Sequence, residues 1–109
     1  MTTFAVDSRC AKYLRMLGDE QQVARQAVQD YILRKAVEKI ARLTVEQAEL
    51  EAKYGMNLDT FRQRVTTDEQ HLKGLNRKQP LWEEDVAHWI YLSEELEEWR
   101  RIEQELSGN

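Results

Sequence analysis

Cysteine, proline and glycine are scarce in this chain, and each scarcity excludes something. The single cysteine, Cys10, rules out an internal disulfide and a thiolate metal cluster. With only two histidines, His71 and His88, no Cys/His metal spacing can be written. One proline and four glycines in 109 residues leave little turn material for a sheet-rich fold. No stretch approaches the roughly 18 consecutive apolar residues that a membrane span needs. The start of the chain lacks the basic-then-apolar layout of a signal peptide. A soluble cytoplasmic protein with no membrane partner is the expectation. Gly-rich phosphate loops and nucleophile motifs are missing too. The nearest approach to a chemical site is Glu84, Asp85 and His88. Glu84 and His88 are four apart and share a helix face, but carboxylate-bridged metal bundles repeat such a grouping on several helices, and here it occurs once. It reads as a solvated face. Neither an enzyme nor a cofactor is expected.

What the chain does have is charge and helical periodicity. Charged residues make up 33% of it, which favours an all-α protein with exposed helices and a modest core, one that a partner subunit would complete. The charge is unevenly placed. Residues 81–109 hold nine acids and two bases, whereas residues 1–80 hold eleven acids and fourteen bases. The acidic end reads as one long helix with all three tryptophans on a single stripe: Trp82, Val86, Trp89, Leu92, Leu96, Trp99, Ile102 and Leu106. Steps of three and four keep these side chains on one face. Two readings of the stripe stay open. It packs into the chain's own core or a self-dimer, or it lies apolar face down in a groove on a partner protein, where Trp anchors are typical energetic centres. The acidic flank would then favour a basic partner.

Upstream, residues 3–6 alternate polar and apolar and predict a very short strand. A helix capped by Asp7 or Ser8 should run through Leu17 with Cys10, Tyr13, Leu14 and Leu17 on one face, and Gly18 should stop it. On that face Cys10 reads as a buried small hydrophobe. Asp19 and Gln22 have capping-box spacing. The helix they open carries Ala24, Val28, Ile32, Ala36 and Ile40 at four-residue steps, widened by Val23, Ala27, Tyr31 and Leu33, and should run nearly unbroken to Tyr54 with Gly55 as its stop. Asn57 looks like the next cap, for a short helix holding Leu58, Phe61 and Val65. Residues 66–79 are weakly patterned; Asp68 to Leu72 could form a helical turn, but Gly74, Asn76 and Pro80 favour a loop there. Pro80 suits the first turn of the last helix.

Residues 3–37 resemble the ribbon-helix-helix fold of small bacterial and archaeal regulators, in which a short strand pairs with its twin and two helices follow. The second helix of that fold carries a pattern close to the one that runs here from Val23-Ala24 through Ala27-Val28 to Tyr31-Ile32. The rest looks like a narrower group, the small antitoxins of prokaryotic type II toxin–antitoxin pairs. The residues that carry this likeness are Glu49-Leu50-Glu51-Ala52-Lys53-Tyr54-Gly55-Met56, then Phe61, then Leu81-Trp82-Glu83-Glu84-Asp85 through Trp89. The resemblance implies an N-terminal region that dimerises and binds operator DNA, and a C-terminal helix that covers and inhibits a toxin, often a ribonuclease. The chain departs from the DNA-reading pattern in its strand. Its outward positions would be Thr3, Ala5 and Asp7, with Ala5 where a basic or amide side chain is expected and Asp7 facing an anionic groove. The second helix begins Asp19-Glu20, which opposes phosphate binding at its N-terminus. Thr3, Ala5, Arg9 and Arg25 remain the DNA-contacting candidates, with Lys12 and Arg15 as further phosphate contacts.

The combined expectation is a mainly helical homodimer: a degenerate ribbon-helix-helix region over residues 1–55, a short helix and loop over 56–79, and an acidic partner-binding helix over 80–109. Its function would be to neutralise a basic toxin through Trp82, Val86, Trp89, Leu92, Leu96, Trp99 and Ile102. The alternatives are a stand-alone ribbon-helix-helix transcriptional regulator and a structural coiled-coil assembly protein.

Overall fold

A computed structural model describes residues 8–108, the side chain of Leu14 excepted. The short strand expected at residues 3–6, with Thr3 and Ala5, lies outside the described residues. Five helices follow one another: α1 (Ser8–Leu17), α2 (Glu20–Tyr54), α3 (Leu58–Thr67), α4 (Glu69–Lys78) and α5 (Trp82–Ser107). Among the described residues there is no strand. The fold is all-α.

The helix ends follow from local chemistry. Gly18, at φ +140°, turns the chain between α1 and α2, and the Arg15 Nε to Glu20 Oε2 pair at 3.2 Å spans that corner. Asp19 opens α2 by accepting the Gln21 and Gln22 N–H groups on Oδ1 at 3.0 and 3.1 Å. Gly55 closes α2 in the left-handed region at φ 71°, its N–H donating to the Glu51 carbonyl. Asn57 Oδ1 accepts the Thr60 N–H at 2.8 Å and starts α3.

The loop expected over residues 66–79 is instead the end of α3 and a full helix, α4. The reason is Asp68. Its backbone N–H donates to the Arg64 carbonyl and finishes α3, while its Oδ1 accepts the His71 N–H at 3.0 Å and begins α4. Glu69 in the first turn and Arg77 and Lys78 in the last suit the helix dipole. Gly74 in the middle costs about 1 kcal/mol relative to alanine, which one good N-cap offsets. Pro80 sits in the turn before α5, whose first helical residue is Trp82.

The long helices α2 and α5 pack antiparallel. Gln29 Nε2 donates to the Leu106 carbonyl at one end of the pair, and Lys53 and Tyr54 bind Asp85 at the other. The α2 seam runs through Ala36, Ile40, Leu43, Gln47, Leu50 and Tyr54, a 4-3-4-3-4 spacing that averages 3.6 residues, the period of the helix, and keeps one line facing a partner helix. The stripe expected at four-residue steps does not hold, because each such step rotates about 40° around the helix. Ala24 and Ala36 are buried and Ile40 half-buried, but Val28 and Ile32 fall off the seam and are exposed. Cys10 is also exposed rather than buried. Among the described α1 side chains Ala11 is buried, while Cys10, Tyr13, Met16 and Leu17 are exposed. The molecule is accordingly long and thin, 68 × 25 × 23 Å.

Candidate partner-binding surface

The core falls into two clusters along α5. In the middle of the hairpin, Leu92 and Leu96 close on Leu43, flanked by Ile40, Leu50 and Trp99. Nearer the closed end, Trp89 meets Phe61 from α3 and Leu75 from α4, surrounded by Tyr54, Met56, Leu58, Val65, Trp82 and Val86. Trp89 has no exposed surface; its ring centroid lies 5.8 Å from Tyr54 and 5.7 Å from Phe61. The short helices α3 and α4 therefore act as a cap that seals the hairpin over this tryptophan.

The tryptophan stripe is turned inward in this structure. Trp89, Leu92 and Leu96 are buried, while Trp82, Val86, Trp99 and Ile102 are half-buried. Trp82 donates its indole N–H to Asn76 Oδ1 at 2.8 Å, tying the start of α5 to α4. The Lys39 ammonium lies 5.8 Å from the Trp99 ring centroid, a cation–π contact across the seam. The remaining candidates, Arg9 and Arg25, are both exposed, on α1 and α2.

One polar cluster had no place in the sequence reading. Asp85 Oδ2 accepts from Lys53 Nζ at 2.8 Å and from the Tyr54 hydroxyl. These bonds, the lysine's first and the tyrosine's second, hold the Asp85 carboxyl below the usual carboxylate range. Burial, reinforced by the hydrogen bond to Asp85, pushes the Tyr54 phenol well above its ordinary value. The signal was present in the sequence without being recognisable as a contact. Lys53-Tyr54 and Trp82-Glu83-Glu84-Asp85 are the two segments that carried the antitoxin resemblance, and the fold brings them together.

Asp85 is thus committed to a clasp, and the His88 ring stacks on Tyr91 at 6.1 Å. Among the described residues no group of three or more His, Cys, Asp or Glu side chains could hold a metal ion. No helix is long and apolar enough to cross a membrane. A shallow groove of about 500 Å³ beside the seam is lined by Gln47, Ser93, Glu97, Arg100, Arg101 and Gln104. It holds amide, hydroxyl and charged groups, but no nucleophile is paired with a base there.

Burying the stripe fixes what α5 shows to solvent. Its outer face reads Glu84, Ala87, Tyr91, Glu94, Glu98, Arg101 and Glu105, with Glu83 and Glu97 beside it, and all of these are exposed. Arg101 pairs with Glu98 at 3.0 Å, leaving the face strongly anionic. Glu83, Glu84 and Asp85 sit where the α5 dipole favours negative charge. The last turn has no base, and Gln29 from α2 meets its Leu106 carbonyl instead.

Comparison with known proteins returns no match to any family, to any curated protein or to any solved structure.

Proposed function

We propose that the chain is an antitoxin-like binding protein that captures and neutralises a basic toxin, with a ribonuclease as the first candidate, and that it works as a homodimer. The observation that carries this reading is the anionic outer face of α5, backed by a packed seam. A helix held on its apolar side presents its carboxylates at fixed spacing. Such a surface suits a partner whose basic residues serve an anionic substrate, because occupying those residues blocks the substrate. The homodimer reading draws on apolar side chains that no other described residue covers, among them Val37 and Val45 on α2.

The test is affinity capture from native cell lysate by the full chain and by a Glu94→Gln/Glu98→Gln/Glu105→Gln variant. These side chains are exposed, so the variant keeps its fold. A basic protein retained by the full chain, lost with the variant and eluted by salt is the expected result. Equal retention by both, or retention that high salt leaves unchanged, overturns the electrostatic mechanism.

A further inference from the structure

The face of α2 turned away from α5 carries an exposed apolar strip too, interrupted in its first half by Arg34 and Glu38. Tyr31, Val37, Ala41, Val45, Ala48 and Ala52 lie along it, all exposed, with Tyr31, Val37 and Val45 at 57%, 49% and 58%. Their spacing from Val37 onward is 4, 4, 3 and 4, which keeps them in one strip down the back of the hairpin. A solvated helix back has no need of valines at its centre. Three alanines beside them allow a second helix to approach at about 8 Å, the short end of helix packing distances.

The charges beside the strip say what fits it. Lys35, Lys39 and Arg42 line one flank of its first half, with Glu38 among them and paired to Lys35 at 3.4 Å, and Glu46 and Glu49, followed by Lys53, line the same flank of its second half. A helix with that order is complementary to its own reverse. In a symmetric parallel pair this flank would face the opposite flank of the second copy, and its bases and acids would not meet. Laid antiparallel about an axis near Val45, they set Arg42 of each copy opposite Glu49 of the other, and the symmetry makes that pair twice. Val45 then meets its own twin, and Ala41 faces Ala48.

We infer that α2 is the dimerisation helix, and that the occupant of its outer strip is the α2 strip of a second copy, antiparallel, with the two-fold axis near Val45. This inference rests on the homodimer element of the proposed function and is independent of toxin capture. The product is a four-helix layer: α5, α2, α2 of the second copy, and its α5. Both anionic α5 faces then point outward and remain available. The two α1 helices end up at opposite ends, since Glu20 is 25 residues and about 38 Å along the helix from Val45.

The experiment is sedimentation equilibrium on the full chain and four variants: Val45→Glu, Arg42→Glu, Glu49→Arg and the double Arg42→Glu/Glu49→Arg. All three positions are exposed in the single chain, and far-UV circular dichroism checks that helix content is kept. The parent chain should be a dimer. Val45→Glu should raise its dissociation constant at least about tenfold, as loss of a central interface contact does. Each single charge reversal should weaken the dimer, and the double should restore it. A monomeric parent chain overturns the inference. So does a dimer indifferent to Val45→Glu, which would place pairing elsewhere, such as on Tyr13 and Met16. Toxin capture is read in a separate assay, so either idea can fail alone.

Discussion

Replacing Trp89 with alanine distinguishes a seam tryptophan from a partner-binding one. The side chain is fully buried among Tyr54, Phe61 and Leu75, at the junction of four helices. Truncating a buried tryptophan costs about 3–5 kcal/mol. The lower half of that range applies here, because the indole N–H is buried without a hydrogen-bond partner and its removal relieves a desolvation cost. A loss of about 3–4 kcal/mol is large for this chain. Among the described residues its buried apolar set has only nine members, three of them alanine, which puts total stability near the low end, about 5 kcal/mol. The melting temperature should fall by roughly 15 °C, followed by circular dichroism at the helix minimum, with urea unfolding as a second measure. Trp99→Ala is the internal control. Trp99 is half-buried, so its loss should cost about 1–2 kcal/mol. Equal losses from the two substitutions would refute the packing described above. An unchanged melting temperature for Trp89→Ala would do so more sharply, since it would mean that the stripe is not spent on α2 in solution and is free to anchor a partner directly.

Three other perturbations test the cap and the clasp. Gly74→Ala should stabilise the chain by about 1 kcal/mol, because Gly74 is in a helix interior and an added Cβ meets nothing within 4 Å; a lower melting temperature would contradict the α4 geometry. Asp68→Ala removes the side chain that caps α4 and should destabilise by about 1 kcal/mol, visible as a lower urea midpoint. Asp85 has a lowered folded-state pKa, so its contribution is complete above the unfolded value of about 3.9 and is lost as pH falls through the folded value. Acid titration of stability should therefore show a loss beginning below about pH 4, and Asp85→Asn should reduce it. An acid limb identical in parent and variant would show that the clasp contributes nothing.

Where the pattern repeated over many turns, the sequence was readable. The single apolar stripe of α5, the unbroken run to Tyr54 and the stop at Gly55 all rest on periodicity or on one residue's backbone freedom, and these are local properties; which way the stripe faces is not local, and periodicity left it open. The full length of the cap helix α4 was not legible beyond a turn from Asp68 to Leu72, because Gly74 and Asn76 carry strong local signals against a helix, while the decisive Asp68 serves two helices at once. The path of the seam along α2 was misjudged for a related reason. Val28 and Ile32 are as apolar as Ile40 and Leu43, and only the position of α5 decides which pair is covered. The same tertiary fact leaves Val37 and Val45 on the outside, and Cys10 is exposed on α1, which packs against α2. The clasp joining Lys53 and Tyr54 to Asp85 depends on residues about thirty positions apart, and nothing local announces it.

The antiparallel course of α2 and α5 also sets how the chain responds to force. The start of α2 and the end of α5 lie at the same end of the hairpin, joined there by the Gln29 to Leu106 hydrogen bond. Tension applied to the C-terminus against the N-terminal region peels α5 away instead of shearing it along its length. The layers separate in succession, so the load never falls on the whole seam at once. The half-buried Ile102 and Trp99 release first, Leu96 and Leu92 next, and the sealed Trp89 cluster last. A processive unfoldase gripping the C-terminus meets its weakest resistance at the outset, while an unfoldase that engages near α3 and α4 must open the tightest region of the protein before anything else yields.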